Sequence, residues 1–563
     1  MASSIAPAMP LAALAAQARA RHDRPHLVQP RAGGTRTYRW ADTDAQVRQM
    51  AASLRRLGLA PGDRVAILSK NCAEWVLADL AILAAGLVSV PIYPTAGAET
   101  IAYVLDHAEV KAIFLGKLDD PAAAHGAIPG GIARIALPYP TAAAERAWDD
   151  LLGADALDGY PDTAPDELAT LVYTSGSTGT PKGVMLSHGN LAFAADTTRA
   201  HVAVAGGERL LSHLPLAHIA ERSLGEGVSL YAGTTLYFVE ALDTFARDLA
   251  ACRPTRFLTV PRLWAKLQEQ ILARVPEARL RRMLAVPGLS GAVKRKIKTG
   301  LGLDRARFFG TGAAPAPPAL LAFFHRLDMP VAQGFGMTET AGVATAFAPE
   351  AVDDGDPERL TSVGPPLPGM AARLGADDEL ELKGPGVFPG YYKAPDLTAE
   401  SFTADGWFKT GDLARMDDQG HIWITGRRKE LFKTAKAKYV SPVPIEAKLA
   451  ECTLFENLCV LGAGLPQPEA VAVLTDAAAR RPADEVDRLL ETVLAAVNDR
   501  LEPHERLARL HIVPGPWDVA SGLLTPTLKL RRGPIETAYA ALLGHGTDQS
   551  RVIRHRQGLR PAA

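Results

Sequence analysis

Between Tyr173 and Val184 the chain reads YTSGSTGTPKGV. The seven residues Thr174 to Thr180 hold five hydroxyls and two glycines, and Pro181, Lys182 and Gly183 follow. Glycines let successive backbone N–H groups turn toward one anion, hydroxyls add donors, and the lysine adds a full charge. The chemistry that suits such a loop is phosphate binding. A flexible linker can have the same composition, but linkers seldom lie between two apolar strands. Here LATLVYTSG reads as a strand leading in and KGVMLSH as a strand leading out, with a helix expected from Leu191. The general pattern G-x-x-x-x-G-K-[ST] fails at two places. Pro181 stands where the second glycine would be, and Gly183 replaces the hydroxyl that would hold magnesium.

The whole of YTSGSTGTPKGVMLSH resembles the signature loop of the adenylate-forming enzymes: acyl-CoA synthetases, adenylation domains and luciferases. The resemblance implies that Thr174, Ser175, Gly176, Ser177, Thr178, Gly179 and Lys182 grip the pyrophosphate part of ATP. GFGMTET is similar to the family's second signature, with Gly334, Phe335, Gly336, Met337 and Thr338 at the nucleotide. It implies Glu339, with Thr178, as the Mg²⁺ ligands; Mg²⁺ is usually held by one or two carboxylates plus substrate phosphates. Phe335 stands where the family more often has tyrosine. GTGAAP resembles the adenine-binding turn, with Gly312, Ala313 and Ala314. In DGWFKTGD, Asp412 matches the aspartate for the ribose hydroxyls, since a carboxylate accepts from a diol.

GRRKELFKTAKAKYVSPVPIE resembles the family's hinge region. It implies Arg427 at the ribose or phosphates, Lys429 at the hinge, and the loop Lys436, Ala437, Lys438 on the CoA side. Ala437 departs from the family's usual glycine, and alanine disfavours a positive φ. In GLLTPTLKLRR, Lys529 matches the catalytic lysine; with Glu339 and Lys182 it completes the expected catalytic set. LPLAHIAERS, with His218 facing the acyl group, and VPRLW resemble the long-chain fatty acyl-CoA synthetase branch. A core histidine satisfied by Glu221 or by backbone is the competing reading of His218. Arg262 has two readings as well, assisting the pocket or pairing structurally.

The resemblance spans roughly Thr37 to Arg532. It implies an α/β fold: a large N-terminal domain of two α/β lobes plus a β-barrel subdomain, then a smaller, mobile α+β C-terminal domain. The expected division is 1–427 and 428–563. The expected activity is ATP-dependent activation of a medium- or long-chain fatty acid to acyl-AMP, followed by transfer to CoA. An acyl-AMP ligase serving a carrier protein, or a non-catalytic nucleotide- or lipid-binding relative, is the alternative. ATP, CoA and the fatty acid are the partners, with Mg²⁺ as cofactor.

The elements that must position these residues are legible in part. DAQVRQMAASLRRLGL has helical periodicity and ends at a glycine, while DRVAILS and VKAIFLG are short apolar strands. Such alternation implies a sheet with helices on its faces. From Thr361 to Ile424 Gly and Pro become frequent and apolar runs shorten, as in LELKGPGVFPGYY, which predicts a β-rich subdomain. Beyond Arg428, NLCVLGAG and EAVAVLTD predict strands, VDRLLETVLAAVNDRL a helix, and the basic tail SRVIRHRQGLRPAA a frayed end.

The 563 residues exceed one ordinary domain, and 47% hydrophobic with 22% charged residues is a soluble globular balance. The net charge of −1 gives no global attraction to nucleic acid. Cys72, Cys252, Cys452 and Cys459 have the spacing of neither a zinc site nor a redox pair, which suits a reducing cytoplasm. WVLADLAILAAGLVSVPIY is interrupted by Asp79, Gly86 and Pro91, and predicts a buried helix running into a strand rather than a membrane span. The basic stretch ARLRRMLAVPGLSGAVKRKIKTG admits two readings, a solvated helix face or contact with the inner face of the membrane.

Overall fold

Apolar β-branched runs alternating with amphipathic helices build the first lobe around one sheet. The structure, a computed structural model, describes residues 7–139, 144–153, 155–175, 181–352, 359–519, 521–525, 529–544 and 551–555. Eight strands are ordered Gly390–Tyr391, Pro181–Ser187, Leu168–Ser175, Val88–Ile92, Arg64–Leu68, Val110–Leu115, Ala133–Ala136 and Arg146–Ala147. From Leu168–Ser175 onward the neighbours are parallel; the first two strands add antiparallel. The helix predicted over 44–59 forms as Trp40–Arg56, and Gly58 leaves it at φ 83°.

The second lobe holds two four-stranded sheets. Their orders are Arg209–Ser212, Thr235–Phe238, Pro25–Arg31, Gly34–Arg39 and Arg256–Thr259, Phe308–Thr311, Val331–Phe335, Thr345–Ala346. They meet edge to edge where the Thr255 N–H donates to the Arg209 carbonyl at 2.9 Å. The expected β-rich subdomain is an antiparallel sheet of Ala371–Leu374, Glu379–Lys383, Phe408–Met416 and Ile422–Arg427. Beyond it lie a short hairpin, Phe432–Lys433 with Tyr439–Val440, and a last sheet of Phe455–Leu461, Glu469–Leu474, Leu510–Ile512 and Val552–Arg554. Ala483–Asn498 packs on that sheet through Val486, Leu490 and Leu494.

The apolar stretch from Trp75 to Tyr93 is a helix, Ala73–Ala84, buried along its whole length, running into the strand Val88–Ile92. Asp79 is tolerated there because Arg222 Nη2 and Nε donate to its carboxylate at 2.7–2.9 Å and Arg222 Nη1 donates to Thr170 Oγ1 at 2.6 Å. A buried charge persists when it is paired and hydrogen-bonded. Among the described residues no helix is long and apolar enough to cross a membrane.

Two expectations need correction. The helix after the loop begins at His188, not Leu191, because Ser187 caps it: Ser187 Oγ accepts from the Asn190 N–H at 3.1 Å and Asn190 Oδ1 from the Ser187 N–H at 2.9 Å. The basic tail is not frayed throughout. Val552–Arg554 pairs in parallel with Leu510–Ile512, and Arg554 is held by Asp487 at 2.7 Å.

Candidate active site

The loop of residues 176–180 joins the antiparallel strands Leu168–Ser175 and Pro181–Ser187, in register Thr174↔Lys182 and Tyr173↔Gly183. Gly176, Ser177, Thr178 and Gly179 lie outside the described residues, as does the side chain of Ser175. Thr174 and Lys182 face a cleft of about 2310 Å³. Gly183 lies under the Tyr173 ring, where an added Cβ would come within 3.3 Å of it.

Across the cleft, Phe308–Thr311 and Val331–Phe335 run parallel side by side, so their carboxyl ends deliver Gly312–Pro315 and Gly334–Thr338 to one rim. Ligands of open α/β sheets bind at such ends. Ala313 takes φ 67°, a left-handed conformation disfavoured for alanine. At Gly336 an added Cβ would come within 2.3 Å of the Gly342 carbonyl, so only glycine lets these two backbones approach.

Glu339 is buried, and burial pushes its carboxyl up against the opposing influence of Tyr391, Lys182 and Arg427. The Tyr391 hydroxyl donates to Glu339 Oε1 at 2.8 Å, and its ring lies 5.5 Å from Lys182 Nζ. Tyr391 reaches this position because Gly390–Tyr391 pairs with the strand that carries Lys182. Burial, then Lys429, pushes the Lys182 ammonium down.

Asp412 and Arg427 face each other in register on adjacent antiparallel strands, and Arg427 Nε donates to Asp412 Oδ1 at 2.9 Å. Burial raises the Asp412 carboxyl while Arg427 and Lys529 oppose the rise. Lys529 belongs to the smaller C-terminal sheet unit yet sits in the same cleft. The Thr525 N–H donates to the Lys529 carbonyl at 2.8 Å and the Lys529 N–H to Thr525 Oγ1 at 3.0 Å, which fixes the lysine's backbone. Burial, then the Arg427 charge, pushes its ammonium down to about 8.

His218 also lines the cleft. Its Nδ1 accepts from the Ala220 N–H at 3.1 Å, which leaves the ring proton on Nε2. Burial and the nearby Lys529 hold it neutral, at about 3. Glu221 is buried with its Oε1 unpartnered, and burial pushes its carboxyl up to about 8 against the opposing influence of Ser212 and Leu214. Val202, Val204, Leu210, Leu224, Val228 and Leu258 also line the cleft and form its apolar limb. Lys429 lines the cleft; Lys436, Ala437 and Lys438 are exposed and outside it, with Ala437 at φ 61°. Arg262 lines the cleft and pairs with Glu456 of the C-terminal unit at 2.6 Å.

Sequence reasoning missed Tyr391 and the apolar limb. The tyrosine stands in FPGYY, where only the Gly/Pro texture drew attention. The limb is assembled from three separate segments, so no single stretch announces it.

Comparisons with known proteins agree with this architecture. A family model described as AMP-binding enzyme matches residues 14–392, and one described as AMP-binding enzyme C-terminal domain matches residues 431–544. The chain is 31% identical over 553 residues to the long-chain-fatty-acid–CoA ligase FadD15 of Mycobacterium bovis, covering 89% of this chain and 90% of the relative. Among solved structures it is similar to the adenylation domain of a carboxylate reductase from Mycobacterium chelonae, with TM-score 0.79, 25% identity, and 96% of this chain and 91% of that one covered. It shares its fold with o-succinylbenzoate CoA synthetase from Bacillus subtilis, solved with ATP and magnesium ion, at TM-score 0.72 and 24% identity over 93% of this chain and 99% of that one.

Proposed function

We propose, since this chain belongs to the AMP-binding enzyme family, that it joins a medium- or long-chain fatty acid to CoA in two steps at one cleft. The observation that carries this reading is the convergence of Lys529, Asp412, Arg427, Glu339 and Lys182 on a cleft with an apolar limb. The acid is already ionised near pH 7, since carboxyls titrate near ~4. It needs no general base, only a leaving group. Its oxygen attacks the α-phosphorus of ATP; the new O–P bond forms as the bond to pyrophosphate breaks, giving acyl-AMP. The CoA sulfur then attacks the acyl carbon and AMP departs.

Two anions meet in the first step, so the chain must supply positive charge. Lys529 sits where it can bridge phosphate and carboxylate oxygens, and preorganised charge of this kind is usually the largest catalytic contribution. Lys182 and the loop donors hold the leaving pyrophosphate. Arg427 and Asp412 hold the ribose end, and the Gly312–Ala314 turn with Phe335 flanks the adenine. Among the described residues no cluster of three His, Cys, Asp or Glu could hold a metal. One buried carboxylate is nonetheless the donor set that Mg²⁺ uses when substrate phosphates and water complete its shell. Glu339, with Thr178, would hold it, and the ion when bound offsets phosphate charge.

The division at 1–427 and 428–563 belongs to the same proposal, with Lys429 as the pivot. With Lys529 inside the cleft and Lys436 to Lys438 outside, this arrangement suits adenylation; rotation would exchange them for the thioester step. The compartment we propose is the cytoplasm, in keeping with four cysteines that are all thiols.

The deciding experiment incubates the protein with ATP, Mg²⁺ and acids from acetate to stearate, with and without CoA, and reads the products by mass spectrometry. AMP with long-chain acyl-CoA supports the proposal. Acyl-AMP that accumulates although CoA is present moves the acceptor to a carrier protein. No nucleotide turnover with any acid favours a binding protein.

Two substitutions probe the supporting roles. Tyr391→Phe keeps the ring beneath Lys182 and removes the hydrogen bond to Glu339. The Mg²⁺ concentration for half-maximal rate should rise roughly ten-fold, as when a ligand's supporting partner is lost; an unchanged Mg²⁺ dependence removes Tyr391 from this role. Ala437→Gly relieves a left-handed alanine, a strain of about 1–2 kcal/mol partly offset by the flexibility of glycine. The variant should melt slightly higher and form thioester faster from supplied acyl-AMP. An unchanged thioester rate means that the methyl group is harmless there.

A further inference from the structure

The helix Pro261–Arg274 lines the cleft at its first residues and runs away from it into a helical hairpin, Glu277–Leu284 and Leu289–Leu301. Sequence reading set Met283, Leu284 and Ile297 among the residues that could rest on lipid. The structure turns them inward instead: they pack, half-buried, against a core that includes Trp264 and Ile271. What it exposes is the tip between the helices. Ala285 to Leu289 are all exposed, with Val286 at 49% and Leu289 at 42%. These two are among the few large apolar side chains on the surface, and they are three residues apart.

The flanks of this tip are basic. Residues 274–298 hold eight Lys or Arg and one acid, Glu277, in a chain whose net charge is −1. Arg281 and Arg282 close the helix that enters the tip, Arg281 sharing its charge with Glu277 at 2.9 Å. Arg295 and Lys296 lie on the exposed side of the helix that leaves it, and among the described residues they have no ion pair. Arg295 stands six residues beyond Leu289, or about 9 Å at the helical rise, and Lys294 before it is held by Asp328 at 2.8 Å. Amphipathic surfaces bury their apolar residues about 5–10 Å deep at the boundary between headgroups and acyl chains. A tip seated at that depth sets the basic residues at the level of the lipid phosphates.

We propose that this hairpin is a membrane-docking surface, with Val286 and Leu289 inserted into the leaflet and Arg281, Arg282, Arg295 and Lys296 on anionic headgroups. The occupant is a bilayer because the exposed apolar residues stand at the turn and the basic residues along the two helices that flank it. An acidic protein or a nucleic acid would use the charge and leave the apolar tip idle. The inference rests on surface chemistry alone and stands apart from the activity proposed for the cleft.

The test is flotation of the full chain with phosphatidylcholine vesicles, with and without phosphatidylglycerol. The wild type should float with the anionic vesicles only. Val286→Asp with Leu289→Asp, and separately Arg295→Glu with Lys296→Glu, should each lower partitioning on the order of ten-fold or more, as expected when apolar insertion or headgroup attraction is lost. Unchanged melting temperatures and unchanged pyrophosphate release with a cyclodextrin-delivered fatty acid would separate this loss from misfolding. The proposal is overturned if the wild type floats with neither vesicle or equally with both, or if either double variant floats as the wild type does. Retention on immobilised nucleic acid without flotation overturns it too.

Discussion

Lys529→Ala is expected to abolish adenylation while leaving the second half-reaction intact. Mixed with ATP, Mg²⁺ and fatty acid, the variant should release pyrophosphate slower by on the order of 10²- to 10³-fold, the effect of losing one well-aimed charge donor. Supplied with acyl-AMP and CoA, it should form thioester at close to the wild-type rate. The reason is geometric: Lys529 is in the cleft when Lys436 to Lys438 are outside it, and in the proposed mechanism the two loops serve different steps. Equal loss in both halves would sink the two-arrangement account, provided the variant melts as the wild type does.

The same lysine predicts a pH dependence. Its ammonium is pushed down to about 8, and the protonated form is the useful one. Below that value the group is charged and kcat/KM for adenylation should be level. Above it the proton is lost and kcat/KM should fall about ten-fold per pH unit, since this parameter reports groups of the free enzyme. Lys529→Arg should remove the alkaline limb whatever its effect on rate, because a guanidinium keeps its charge throughout this range. A limb that persists in that variant belongs to another group.

Asp412→Ala should raise KM for ATP by roughly two to four orders of magnitude with a smaller effect on kcat. A buried carboxylate that accepts from two ribose hydroxyls loses two charged hydrogen bonds, each about 1.5–3 kcal/mol. These contacts are made in the ground state as much as in the transition state, so their loss appears mainly in KM. The substitution also removes the partner of Arg427 Nε, 2.9 Å away, and that guanidinium would then swing toward the phosphates. Asp412→Asn keeps the shape and part of the hydrogen bonding, and should lie between alanine and wild type. An unchanged KM in both variants would place the ribose elsewhere.

Local requirements were readable from the chain itself. A run of glycines and hydroxyls between two apolar strands announces an anion loop, because backbone freedom and donor chemistry are properties of residue type. Alternating periodicity announced a sheet with helices on its faces, and the Gly/Pro texture announced a β-rich subdomain; the strand directions came from the structure. The order of the short motifs pointed to the family. The helix start was misread by three residues because Ser187 caps in concert with Asn190, a reciprocal hydrogen bond that weighs more than the apolar pattern. The start of the tail was misread because its strand, Val552–Arg554, exists only by pairing with Leu510–Ile512.

What the sequence alone determined, then, is which chemistry is carried and in which local backbone: hydroxyls, amides, Lys182, Glu339, Asp412 and Lys529, each in its motif. Only the tertiary structure decided what meets what. Tyr391 comes under Lys182 and against Glu339 because a two-residue strand adds to the edge of the large sheet. The apolar limb arises where segments near residues 202, 224 and 258 converge. The left-handed φ of Ala313 and Ala437 follows from the turns that the surrounding fold imposes. Lys529 occupies the cleft because the C-terminal unit docks with that face inward, aided by the Arg262–Glu456 pair. The physical reason is common to all four. Residue type and short-range periodicity set a side chain's chemistry and its local direction, whereas contacts between residues hundreds of positions apart arise only when whole elements pack.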